Sequence, residues 1–233
     1  MNFFNRNLPN AITCCNLLSG CVAAVLAFEG NYRAAFGFII LGAVFDFFDG
    51  MTARLLGVSG PMGKELDSLA DDITFGFAPS VMVFSFFKDA ACPAFLLPLY
   101  GYLPYSAFLI SAFSALRLAK FNIDKRQTSS FIGLPTPADA LFWGSLIIGL
   151  GHWFTEGPLN VLWLLALVII MSLSLVAELP MFSLKFKNLG WADNKVRYIF
   201  LAGCLPLFLL GAGAFAPIIA WYVILSIIAP PKA

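Results

Sequence analysis

Apolar residues run along this chain in long stretches, broken only by short clusters of charge, Gly and Pro. Stretches of this length, wound as helices, cross a hydrocarbon layer about 30 Å thick. Reading from one break to the next predicts eight of them, at 11–28, 34–53, 65–87, 93–116, 137–151, 159–179, 197–211 and 215–229. The fifth, seventh and eighth are the shortest. The first is flanked only by Arg6 and is followed by no small-x-small cleavage pattern, so it reads as a helix and not as a removed signal. The longest polar stretch is about twenty residues, too little for a separate soluble domain. The expectation is therefore one all-α polytopic membrane helix bundle over residues 1–233. Its helices should meet through small residues such as Gly20, Ala23, Gly37, Gly42 and Ala70.

Composition strengthens this reading. Of 233 residues, 60% are hydrophobic and 12% charged, and Phe occurs 25 times. The mean hydropathy is +0.87. Soluble domains have about 45–50% apolar and about 25% charged residues. A fold of this size could not clothe its exterior from such a supply, which excludes a soluble enzyme, a disordered segment and a free nucleic-acid binder. The five cysteines (Cys14, Cys15, Cys21, Cys92, Cys204) form no C-x-x-C pair and read as small hydrophobes. Placement of the cations sets orientation. Of the fourteen Lys and Arg, twelve fall in 1–10, 54–64, 117–136, 180–197 and 230–233, whereas the alternate loops hold only Arg33 and Lys88. The positive-inside rule then puts both termini on the cytoplasmic side, as for a bacterial-type inner membrane.

Acidic residues are sparse, yet five cluster between 46 and 72: Asp46, Asp49, Asp67, Asp71 and Asp72. Asp46 and Asp49 are three apart near the end of the second helix, and Asp67 and Asp71 four apart at the start of the third, so each pair shares a helical face. The intervening Leu56–Gly63 segment reads as a turn returning the chain to the same membrane surface. Intramembrane carboxylates are costly, and four at one depth repel each other. Hard oxygen ligands at this density suit Mg²⁺ or Mn²⁺, with Ca²⁺ as a further candidate occupant. Helix-end solvation is the plainer alternative and fits Asp67 and Asp71 at a helix N-terminus, but not Asp46 and Asp49 at a C-terminus. Asp72 points elsewhere and reads as a solvated or capping neighbour. Gly50, Ala53 and Gly63 leave room for a phosphate beside the acids, and Arg54 adds a planar cation suited to its oxygens.

These residues, Asp46-x-x-Asp49-Gly50-x-x-Ala53-Arg54, eight further residues, then Gly63-x-x-x-Asp67-x-x-x-Asp71, resemble the full signature of the CDP-alcohol phosphatidyltransferase family. Pro9-Asn10-Ala11-Ile12-Thr13 is similar to the family's N-terminal element. Arg117–Asn122 and Phe131–Pro137 are similar to its phosphatidylserine-forming branch, although Lys120 and Asp139 depart from that pattern. The resemblance implies a six-helix core, a homodimer, and transfer of the phosphatidyl group from CDP-diacylglycerol to an alcohol with release of CMP. By motif position, Asp46, Asp49, Asp67 and Asp71 would bind metal, with Asp71 also the general base. Asn10, Thr13, Asp46, Gly50, Ala53, Arg54 and Gly63 would hold CDP-diacylglycerol. L-Serine is the expected acceptor. Its carboxylate and ammonium would find partners among Arg117, Lys120, Asn122, Ser130 and Thr136. Glycerol 3-phosphate and inositol phosphate are alternative acceptors in the same family. A divalent cation transporter is an alternative of another class, which would require acids along the full bilayer depth. His152 falls on the side away from the acids.

Overall fold

The computed structural model describes residues 3–58, 60–124, 131–157, 159–182 and 190–229. Among them the α-helices are α1 (Phe3–Phe28), α2 (Tyr32–Leu56), α3 (Pro61–Asp71), α4 (Ala78–Phe87), α5 (Phe108–Ile123), α6 (Thr136–Thr155), α7 (Val161–Val176), α8 (Trp191–Leu207) and α9 (Phe215–Ile228). A π-helical segment, Asp72–Phe77, joins α3 to α4 in one continuous rod. A two-residue antiparallel pairing sets Phe131 opposite Met181 and Ile132 opposite Pro180. Among the described residues, five stretches are long and apolar enough to cross a membrane: Asn7–Phe28, Tyr32–Leu56, Pro61–Phe87, Leu103–Ile123 and Asn194–Ile228. The chain is an all-α integral membrane bundle.

The order α1, α2, α3–α4, α5, α6, α7 supplies six rods, and α8 with α9 adds a hairpin. The two short runs expected at 197–211 and 215–229 are the arms of this hairpin. They fold back at Gly211, whose φ of 56° and ψ of −128° suit a residue without Cβ. Phe200 then meets Tyr222, and Gly203 lies under the Trp221 indole, so the arms are antiparallel.

The expected span at 93–116 differs from the structure. Residues Ala94–Leu99 and Leu103–Ala107 form 3-10 turns, and the spanning stretch runs Leu103–Ile123. Pro93, Pro98 and Pro104 each lack the N–H that an α-helix needs, so the regular helix begins only at Phe108.

At the centre of the bundle, α4 is buried over nearly its whole length, and the Trp143 side chain of α6 is fully enclosed. Gly20 of α1 and Gly42 of α2 both face Thr74, where the three rods come closest. Gly37, expected at a helix contact, is exposed and faces open space. At the end away from the acids, the Tyr32 hydroxyl donates to Asp89 at 2.6 Å, and Ala91 is bonded through its main chain to Phe154 and Val161. His152 belongs to that end.

Candidate active site

The acids come together because of how α2 ends. Gly57 adopts the left-handed conformation, φ 63°, and the Val58 N–H returns to the Ala53 carbonyl at 3.0 Å. This is the Schellman arrangement that closes a helix. Pro61 then occupies the first turn of α3, where its missing N–H costs nothing. The turn is shorter than expected, and Gly63 already belongs to α3. Because α2 continues to Leu56, Asp46 and Asp49 sit inside the helix, about 10–15 Å from its last residue at 1.5 Å per residue.

Carboxylate oxygens of Asp46, Asp49 and Asp67 lie within 4.8 Å of one another. Three anionic oxygens from two helices at this spacing, with Asp49 buried, are a donor set that fits a hard divalent cation. Asp71 lies within electrostatic reach of Asp46, Asp67 and Asp49 and of Arg117. Its Oδ1 accepts a hydrogen bond from Asn16 Nδ2 at 3.1 Å. Asp72 is not a solvated neighbour. It begins the π segment and turns to α5, its Oδ1 buried beside Ser114 Oγ, because the α3–α4 rod rotates it away from Asp71.

Above the acids lies a cavity of about 410 Å³. Of the residues expected to hold CDP-diacylglycerol, Asn10, Thr13, Gly50, Ala53 and Gly63 line it, joined by the expected metal ligands Asp49 and Asp67, whereas Asp46 is not part of the lining. No atom lies within 4 Å of the position a Gly50 Cβ would take, so any side chain there would occupy the cavity itself. Arg54 is not part of the lining. It is exposed, and its Nε donates to the Gly50 carbonyl at 3.0 Å. Asn7 and Lys64 do line the cavity, although sequence reasoning took Lys64 for an orientation charge. Its adjacency to Gly63 was the available signal.

The residues expected to hold serine are divided. Arg117 is buried, its Nε without a hydrogen-bond partner, and its guanidinium lies 5.9 Å from the Phe121 ring centre. The Asn122 side chain donates to Ser68 Oγ at 2.8 Å and is thereby turned to α3. Lys120 Nζ is 3.5 Å from both the Val176 carbonyl and Glu178 Oε1. Thr136 is buried at the start of α6. Ser130 lies outside the described residues. Sequence reasoning also missed Asn16, a fully buried polar residue within the first apolar run.

Comparison with known proteins addresses the same residues. The chain is 39% identical over 152 residues to a Bacillus subtilis protein named CDP-diacylglycerol–serine O-phosphatidyltransferase, covering 65% of this chain and 78% of that one. It is 33% identical over 170 residues to a Saccharomyces cerevisiae protein of the same name, covering 66% and 56%. To the archaetidylserine synthase of Methanothermobacter thermautotrophicus it is 33% identical over 137 residues, covering 58% and 54%. The chain thus spans about half the length of the latter two. The family model for CDP-alcohol phosphatidyltransferase matches residues 6–137, a stretch that holds α1 from Arg6 onward, both acidic pairs and the whole cavity wall. With that match over more than half its length, the chain belongs to the CDP-alcohol phosphatidyltransferase family.

Proposed function

We propose that this enzyme transfers the phosphatidyl group of CDP-diacylglycerol to L-serine, giving phosphatidylserine and CMP. The observation that carries the reading is the carboxylate cluster of Asp46, Asp49 and Asp67, two of which, Asp49 and Asp67, line a cavity that Gly50, Ala53 and Gly63 keep open. The serine acceptor is supported by the names of the relatives, which share serine across a bacterium, a yeast and an archaeon.

Asp46, Asp49 and Asp67, with Asp71 in the same shell, hold a divalent cation, Mg²⁺ or Mn²⁺. Bound there, it supplies positive charge to the diphosphate and to the departing CMP oxygen. Asn10, Thr13 and the glycine positions receive the nucleotide. Lys64, one residue beyond Gly63, offers its ammonium to the phosphates. Arg117 pairs with the serine carboxylate. Asp71 accepts the serine hydroxyl proton as that oxygen bonds to the phosphorus bearing diacylglycerol and the bond to CMP breaks. Serine Oγ is a poor nucleophile at neutral pH, so a carboxylate within hydrogen-bond reach is required. The site faces the cytoplasm of a bacterial-type inner membrane, supported by the cation asymmetry. By family resemblance the enzyme works as a homodimer.

Purified protein given CDP-diacylglycerol, Mg²⁺ or Mn²⁺ and each labelled alcohol in turn tests the reading. Lipid product with stoichiometric CMP is expected from L-serine alone. Equal product from glycerol 3-phosphate or inositol phosphate, or no CMP at all, would reject the assignment.

A further inference from the structure

We propose that Asn16 of α1 is the positioning residue for Asp71, fixing which carboxylate oxygen faces the incoming hydroxyl. The proposal rests on the reading of Asp71 as the proton acceptor and adds a residue that lies outside the Asp46–Asp71 signature and the Pro9–Thr13 element.

Asn16 is 0% exposed. It therefore touches no substrate, and whatever it does passes through a neighbour. Its Nδ2 donates to Asp71 Oδ1 at 3.1 Å across 55 positions of sequence. Its main-chain carbonyl accepts from Thr74 Oγ1 at 2.9 Å. Thr74 lies in the π segment that begins directly after Asp71. One residue of α1 thus holds both the carboxylate and the irregular backbone that follows it. Single π turns inside helices recur at functional sites because they re-aim the residues beside them.

Glycines at two neighbouring positions let the rods come this close. A Cβ on Gly20 would stand 2.7 Å from Thr74 Cα, and one on Gly42 would stand 2.9 Å from Asn16 Oδ1. The second distance also shows where the amide points. Asn16 Oδ1 is buried against Gly42 with no hydrogen-bond donor. An unsatisfied buried acceptor is unfavourable and in native proteins calls for a reason. The reason here is Asp71. Turning the amide over would press Oδ1 against the carboxylate, so the donor stays on Asp71 and the acceptor goes without. With Oδ1 tied to Asn16, Oδ2 is the oxygen that receives the serine proton.

Turnover kinetics of the full-length enzyme in mixed micelles, followed by CMP release, test this with Asn16→Leu, Asn16→Ala, Asp71→Asn and their double combinations. Leucine keeps the branched heavy-atom shape and removes the donor to Asp71 together with the unpaired acceptor. Both Asn16 variants are expected to lose at least about tenfold in kcat, while KM for CDP-diacylglycerol and for serine stays within about threefold, the pattern of an interaction used in turnover and not in binding. In the Asp71→Asn background the same substitutions should cost nothing further, because a residue acting through Asp71 has no route once Asp71 is altered. Unchanged kcat, a loss carried by KM, or an equal loss in both backgrounds would overturn the proposal. So would failure of both Asn16 variants to assemble in detergent while Asp71→Asn assembles normally, since Asn16 would then be a packing residue. Near-normal turnover by Asp71→Asn alone would instead remove the proton-acceptor reading, a result separable from any of these.

Discussion

Lys64 Nζ donates to the main-chain carbonyl of Asn122 at 2.9 Å, while the Asn122 side chain donates to Ser68 Oγ. Two residues of α3 thereby fasten the end of α5. Lys64 also lines the cavity, so on the proposed function the nucleotide and acceptor sides of the site share one joint. The expected serine ligand Asn122 has its amide committed to this joint, and the expected orientation charge Lys64 is part of the cavity wall.

That division separates two substitutions. Lys64→Met removes a charge-assisted contact, worth about 1.5–3 kcal/mol, and should raise KM for CDP-diacylglycerol by roughly tenfold or more. Ser68→Ala removes the acceptor for the Asn122 amide and the Ser68 hydroxyl's own bond to the Lys64 carbonyl, without touching the Lys64 ammonium. It should leave that KM within about twofold and cost about 1 kcal/mol of stability, a fall in Tm of about 2–4 °C. Steady-state kinetics and a thermal scan in detergent read both effects. The assignment fails should Ser68→Ala shift KM as much as Lys64→Met.

Three carboxylates within 4.8 Å repel each other when nothing positive lies between them. Neutralising one should therefore act in opposite directions according to the medium. In chelator, Asp46→Asn is expected to melt above the unaltered enzyme. With millimolar Mg²⁺ or Mn²⁺ the order should reverse, since a ligand that binds only the folded state stabilises it, and the variant has lost a donor. Chelation should abolish CMP release and added cation restore it. A melting order that ignores the cation would argue against a shared metal.

How much of this was legible beforehand follows from what each residue costs. Carboxylates are expensive in lipid, so Asp46, Asp49, Asp67 and Asp71 stood out against an apolar chain, and the helical period placed them in pairs. The α8–α9 hairpin was visible as two short runs. The start of the fourth span was not, because apolar content counts Pro98 and Pro104 as continuing a run that their missing N–H groups interrupt. Asn16 was hidden for another reason. Its partners, Asp71 and Thr74, lie 55 and 58 positions away, and no local period reports a contact made only when three rods pack. Gly37 shows the converse, a small residue in the right pattern that faces outward.

The same packing gives a mechanical prediction. A methyl group at Gly42 would fall on the Thr74 side chain and near Asn16 Oδ1, whereas one at Gly37 would meet open space. Gly42→Ala should destabilise by about 1–3 kcal/mol, the usual cost of overpacking, and depress turnover by shifting the π segment beside Asp71. Gly37→Ala should be neutral or slightly stabilising, since Ala favours a helix over Gly by about 1 kcal/mol. Thermal unfolding of the pair in one detergent decides it, and equal behaviour would contradict the three-rod junction.

Arg117 offers the sharpest separation between holding serine and merely balancing Asp71. Its side chain is buried with Nε unpartnered, an arrangement that is costly unless a ligand completes it. A carboxylate would do so, since the guanidinium presents paired donors in a plane. Arg117→Gln is therefore expected to raise KM for serine by on the order of a hundredfold, the loss of about 3 kcal/mol in a charged pair, with KM for CDP-diacylglycerol nearly unchanged. Arg117→Lys, which keeps the charge but not the fork, should fall between. Were Arg117 only the counter-charge of Asp71, kcat would fall and both KM values would hold. Serine saturation curves at fixed CDP-diacylglycerol distinguish the two outcomes, and ethanolamine, which lacks the carboxylate, should be as poor an acceptor for the unaltered enzyme as for Arg117→Gln.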